Sequence, residues 1–132
     1  MIHEAVTPKT RSEGVHEDAA GHDLIVVGAS SAGIDALKVI VGGLPADLPA
    51  AVLVVVHTSP DSPRLLADIL NRAGPLPCQY AQDQDAIHTG HLYVAPPDHH
   101  LLVESGRLRV VQGPRENRAR PAIDPLFRTA AV

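Results

Sequence analysis

Two short, unbroken apolar runs constrain this chain more than anything else in it. Residues 24–27 (LIVV) and 51–56 (AVLVVV) contain no polar side chain. A strand with one wet face alternates apolar and polar residues. These runs do not alternate, so both predict strands buried on two faces, as in a parallel sheet. Between them lies a small-residue turn, GASSAG, at residues 28–33. Ile34, Leu37, Val41 and Leu44 then recur at helical spacing, and Gly42-Gly43 with Pro45 stop the helix. The order strand, turn, helix, strand predicts a right-handed βαβ unit.

A second helix follows. Ser62 is placed to cap it and Pro63 suits its first position. Leu65, Leu66, Ile69, Leu70 and Ala73 predict its apolar stripe, Arg72 sits in its last turn, and Gly74-Pro75 ends it. Short strands are then expected around 77–80, 91–94, 100–104 and 107–111, with Ser105-Gly106 as a two-residue hairpin turn. A last helix is expected over 123–131. Residues 1–22 are polar and charged without periodicity and read as a disordered tail, leaving 23–132 as the folded domain.

Composition narrows the function classes. A chain of 132 residues holds one domain, and 45% hydrophobic residues supply its core. The only aromatics are Tyr80, Tyr93 and Phe127, too few for a base-stacking platform. A net charge of −4 disfavours binding to a phosphate backbone, so no nucleic-acid partner is expected. Cys78 is the only cysteine, which excludes an internal disulfide and fits a reducing compartment. No apolar run approaches the roughly 18 residues of a membrane span. The N-terminus has no apolar signal core. The expectation is a cytoplasmic protein without membrane insertion.

Two residues carry the chemistry. Ser30 lies just after the first apolar run and His57 just after the second. In parallel α/β sheets, ligand sites lie beyond the carboxyl ends of the strands. If the two strands are neighbours, about 5 Å apart, the two side chains can meet. The segment Gly28-Ala29-Ser30-Ser31-Ala32 resembles the nucleophile elbow G-x-S-x-G, with alanine in the last place. A serine there has backbone N–H groups of a helix N-terminus beside it, which can stabilise an oxyanion. A serine hydroxyl needs a base such as histidine to act as a nucleophile at neutral pH. A phosphate-binding or purely structural turn is the competing reading, although the loop has neither a Walker lysine nor a full G-x-G-x-x-G.

The other histidines point less clearly to chemistry. His99 and His100 are adjacent and face opposite ways on a strand; His88 and His91 fall in a turn; His3, His16 and His22 lie in the tail. No metal site is expected from them. Cys78 reads as a small apolar residue. The run GPRENRARP, with Arg115, Glu116, Asn117, Arg118 and Arg120, reads as a solvated loop or as a rim for an acidic partner.

Four segments in order resemble the catalytic domain of the CheB-type protein-glutamate methylesterases, the chemotaxis receptor demethylases. They are LIVVGASSAGIDALKVI, AAVLVVVHTSPDSPRLLADILNRAGPLP, GHLYVAPPDHHLLVESGRLRV and GPRENRARPAIDPLFRTAA, which span nearly everything from Leu24 to Ala131. The resemblance implies a doubly wound α/β domain with a mostly parallel, Rossmann-like sheet. It implies hydrolysis of γ-glutamyl methyl esters on methyl-accepting chemotaxis receptors, with deamidation of receptor glutamines as a second activity. It implies a Ser-His-Asp triad in which Ser30 is the nucleophile and His57 the general base, with no cofactor and no metal.

The sequence departs from the family pattern in three places. Ala32 stands where the family usually has glycine. The N-terminal tail is too short for the receiver domain of regulated members. The triad aspartate belongs to a later glycine-rich family segment that this sequence does not contain; Asp98 and Asp124 belong to other segments. The expectation is therefore the N-terminal part of a methylesterase domain, incomplete at its C-terminus. A non-catalytic receptor-binding fragment and a nucleotide-binding α/β fragment are the alternatives.

Overall fold

The structure is a computed structural model. It describes residues 23–57, 64–112 and 129, together with the backbone of 2–7. Its centre is a five-stranded sheet in the order β1-β2-β3-β5-β4. These strands are β1 (Ile2–Thr7), β2 (Leu24–Ser30), β3 (Ala51–His57), β4 (Cys78–Tyr80) and β5 (Leu92–Val94). β2, β3, β5 and β4 run parallel, and β1 pairs antiparallel with β2. Helices α1 (Ile34–Gly42) and α2 (Leu66–Ala73) connect β2 to β3 and β3 to β4. A hairpin of β6 (His100–Glu104) and β7 (Arg107–Val111) forms a second, two-stranded sheet.

The apolar runs are central strands because both of their faces are covered. Val52, Leu53, Val54, Val55 and Val56 are each at most 3% exposed. Val52, Val54 and Val56 pack with Leu37 and Val41 of α1 and Leu66, Ala67 and Leu70 of α2. Ala51, Leu53 and Val55 pack on the opposite face with Tyr93, Ile87, Leu101 and Leu108. Each such aliphatic side chain stabilises the fold by about 1.5–3 kcal/mol when removed from water.

The connections explain the strand order. The β2–β3 and β3–β4 crossovers move one way across the sheet, with both helices on one face. The β4–β5 connection moves back, and its Ala81 and Ile87 lie on the other face. Reversing direction and face together preserves the hand of a parallel crossover. The sheet is thus wound on both faces, and among the described residues the second layer is the hairpin rather than helices.

Several local readings are revised. Ile2–Thr7, assigned above to a tail, forms the edge strand β1. Its backbone satisfies the N–H and C=O groups along the outer edge of β2, a non-local gain that local composition does not reveal. β2 extends through Gly28 and Ala29 to Ser30, because β3 is equally long and pairs with every residue of it. α2 begins at Leu66, and Leu65 falls at its N-cap, 56% exposed rather than in the apolar stripe. Gly74 ends α2 in an extended conformation rather than the left-handed one. Glycine is needed there for space: a Cβ would sit 2.4 Å from the Val41 carbonyl oxygen of α1. Ser62, Pro63, the GPRENRARP run and all of the 123–131 helix except Thr129 lie outside the described residues.

The hairpin turn is as expected, with Ser105 and Gly106 both at positive φ. Asp83 clips the hairpin to the β4–β5 connection. Its Oδ1 accepts from the Val110 amide and the Arg109 guanidinium, both at 2.9 Å. These two donors hold the Asp83 carboxyl below the usual carboxylate range.

Candidate active site

Ser30 and His57 are the last residues of β2 and β3, and they are register partners across the parallel pair. Adjacent strands lie about 4.8 Å apart, and partnered residues present their side chains to the same side of the sheet. Ser30 continues the row of Leu24 and Val26, and His57 continues the row of Leu53 and Val55. Both residues are half-buried at the carboxyl edge. The sequence-predicted pair is therefore brought together by strand pairing.

The Ser30 backbone differs from the elbow expectation. Its φ of −85° and ψ of 166° are ordinary extended values, so no strained turn holds the serine. The chain turns only afterwards, through a single 3₁₀ turn at Ser31–Gly33 that runs directly into α1. The first amides of this helical segment have no acceptor within it. They form a local donor cluster beside Ser30 that suits developing negative charge. Ala32 is exposed in this turn.

The next described element after β3, α2, packs on the helical face, whereas β5 is followed by the hairpin on the opposite face. Diverging exits of neighbouring strands make the ligand-binding crevice of open α/β sheets. Val54 pairs with Val94, so the exit turn of β5 runs level with His57. That turn closes with His99 N–H on the Pro96 carbonyl at 3.3 Å and holds Asp98 at a φ of +64°. Asp98 Oδ2 accepts from Gln112 Nε2 at 2.6 Å, and His99 Nδ1 lies 2.9 Å from the Pro97 carbonyl. The Pro-Pro-Asp run is a sequence signal for this turn, but its position beside His57 depends on β5 lying next to β3.

Two further residues at this edge escaped the sequence reading. Tyr80 ends β4, and its hydroxyl accepts the Leu66 amide at the start of α2 at 3.0 Å. Arg64 places its guanidinium 5.7 Å from the Tyr80 ring centroid. A lone arginine in a polar linker carries no sequence signal for this stacking.

The remaining candidates lie elsewhere. His88 and His91, with ring centroids 5.6 Å apart, precede β5 at the amino edge, opposite the Ser30–His57 pair. His100 is buried. No group of three metal-ligating side chains occurs among the described residues. Cys78 is half-buried, and burial, followed by the nearby Asp68 carboxylate, pushes its thiol up to about 12. Among the described residues no helix is long and apolar enough to cross a membrane.

Comparison with known proteins agrees with this fold. Residues 25–132 match the family model for CheB methylesterase. A protein-glutamate methylesterase/protein-glutamine glutaminase of Symbiobacterium thermophilum is 41% identical over 105 residues, covering 79% of this chain and 29% of the relative. Its namesake from Maricaulis maris is 32% identical over 130 residues, covering 96% of this chain and 32% of the relative. The chain thus spans about a third of the length of the curated relatives it matches. The crystal structure of the Thermotoga maritima CheB methylesterase catalytic domain superposes with a TM-score of 0.77 at 30% identity. That match covers 84% of this chain and 61% of the solved one.

Proposed function

Because the chain belongs to the CheB methylesterase family, we propose that it hydrolyses glutamate γ-methyl esters on chemotaxis receptors, with Ser30 as nucleophile and His57 as general base. The observation that carries this reading is the in-register pairing of Ser30 with His57 at the carboxyl edge of the sheet. His57 takes the Ser30 proton as the hydroxyl oxygen attacks the ester carbonyl. The backbone amides of the Ser31–Gly33 turn stabilise the resulting oxyanion. Collapse of the intermediate expels methoxide, which takes the proton from His57 and leaves as methanol. Water, activated by His57, then attacks the acyl-serine and restores Ser30, leaving a glutamate carboxylate. The same cycle on a glutamine side chain releases ammonia. Every step uses groups of the polypeptide and water, so the reading calls for no cofactor or metal. The protein acts, on this reading, in chemosensory adaptation in the cytoplasm.

The test is methanol release from methylated receptor. Wild-type protein is expected to release methanol, and Ser30→Ala and His57→Ala are expected to release none above background. Equal release by all three proteins would overturn the assignment. Receptor binding without turnover in the wild type would instead favour a non-catalytic receptor-binding role.

A further inference from the structure

We infer that His88 and His91 form a binding site for one divalent transition-metal ion of the zinc class, at the edge of the sheet remote from Ser30 and His57.

The backbone presents the two imidazoles from a fixed turn. The His88 amide donates to the Tyr93 hydroxyl at 3.0 Å. Gly90, at a φ of +79°, donates its amide to the Ala50 carbonyl at 2.8 Å. The His91 carbonyl accepts the Val52 amide at 2.9 Å. These bonds pin His88-Thr89-Gly90-His91 to β5 at one end and to β3 at the other. A bound ion then has little backbone left to order, which is the main cost of binding by a loop.

The side chains have the chemistry and the spacing. Their ring centroids lie 5.6 Å apart, with the planes tilted by 53°. Two imidazoles that share one tetrahedral ion through bonds of about 2.0–2.1 Å hold their centroids about 5–6 Å apart. His91 Nδ1 lies 3.2 Å from the Thr89 carbonyl oxygen. A carbonyl only accepts, so Nδ1 carries the proton of this bond and Nε2 carries the lone pair. A histidine that ligates a metal is oriented in the same way, by a hydrogen bond from its other ring nitrogen. Tyr93 backs the His91 ring, with centroids 6.3 Å apart and planes 24° from parallel. His88 is exposed, so its ring turns toward a shared ion at little cost in packing.

Donor type selects the metal. Neutral imidazole nitrogens suit zinc, copper and nickel, whereas magnesium and calcium take oxygen ligands. No third histidine, cysteine or carboxylate joins the pair among the described residues. Water completes the coordination, which makes the site open and its ion exchangeable. Position separates it from the ester chemistry. His91 stands level with Ala51 at the start of β3, and His57 ends that strand. At about 3.3 Å per residue the two are about 20 Å apart. The ion ties together the turn before β5, and it stabilises the folded chain because the turn that holds it exists only there.

The experiment titrates Zn(II) alone into the nitrogen-15-labelled full chain and follows amide and imidazole nitrogen resonances. Zn(II) is expected to shift the ring nitrogens of both His88 and His91 and the amides of Thr89 and Gly90, and Mg(II) to shift none of them. His88→Ala and His91→Ala each remove one ligand and leave the backbone bonds of the turn in place. Each is expected to weaken Zn(II) binding at this turn by about tenfold or more, because a two-point attachment becomes a single one. His99→Ala is expected to leave it unchanged. A shift confined to one of the two rings, shifts centred on other residues, or unchanged affinity in either of the two variants would overturn the inference. None of these readouts requires turnover, so they stand apart from the esterase reading.

Discussion

Ser30 and His57 end adjacent parallel strands in register, the only residues of that pairing that are polar. Every pair beneath them, from Leu24–Ala51 to Ala29–Val56, is built from apolar side chains or glycine. The register of the two carboxyl-edge residues is therefore held by a ladder whose slippage by one residue would turn buried valines to the wrong face.

A pair that works as one unit loses its activity together. Ser30→Ala and His57→Ala are each expected to lower methanol release of this chain, which lacks the triad aspartate, by about 10²-fold, and the double variant no further than the singles. Progress curves of the four proteins on one methylated receptor check this. Losses that multiply in the double variant would mean that the two residues act independently.

Gly74→Ala is expected to destabilise the fold by about 1–3 kcal/mol, the usual cost of forcing extra volume into a packed contact. The new Cβ would meet the Val41 carbonyl oxygen at 2.4 Å, and this is backbone that cannot swing away. Urea unfolding reads the change. A ΔΔG near zero would mean that α1 and α2 separate freely at this point.

Tyr93→Phe is expected to cost about 1–3 kcal/mol with little change in shape. The Tyr93 hydroxyl accepts the His88 amide at 3.0 Å and donates to the Ala86 carbonyl at 3.2 Å. Burial raises the pKa of this phenol, so the hydroxyl stays protonated and keeps both bonds into alkaline solution. Removing the oxygen leaves both backbone groups of the β4–β5 connection without it. Thermal unfolding together with amide exchange at His88 measures the effect, and unchanged protection there would refute it.

The Cys78 thiol is expected to resist alkylation in the folded protein at pH 8–9. Its pKa is pushed up to about 12, chiefly by burial and then by Asp68. In the unfolded chain the thiol ionises around its ordinary value of 9.0. Between those values the unfolded state has released a proton that the folded state retains, so stability falls as pH rises through this window. Cys78→Ala should flatten that decline. Rapid iodoacetamide labelling of the native protein, or an unchanged alkaline slope in the alanine variant, would contradict it.

Much of this organisation is legible in the residues themselves. The runs at 24–27 and 51–56 announce strands covered on two faces, and both strands are. Ser105-Gly106 announces a two-residue turn, and both residues adopt positive φ. Leu65 was less legible, since it differs from Leu66 only by one position around α2, and the true start of the helix decides which leucine is covered. β1 was not legible at all, because a polar segment becomes a strand only when a neighbouring edge lacks hydrogen-bond partners.

Periodicity and turn chemistry are local, so the sequence by itself determined every described element but β1, the positions of Ser30 and His57 at strand ends, and the four family-like segments. The order of the strands is not local. That β5 inserts between β3 and β4, bringing the Pro96–His99 turn beside His57, follows from which pairings bury the most apolar surface. The register that matches Ser30 with His57 and the closure that sets Arg64 on Tyr80 were decided in the same way. Each depends on contacts between residues far apart in the chain, whose free energy exists only once the sheet and its two covering layers have assembled.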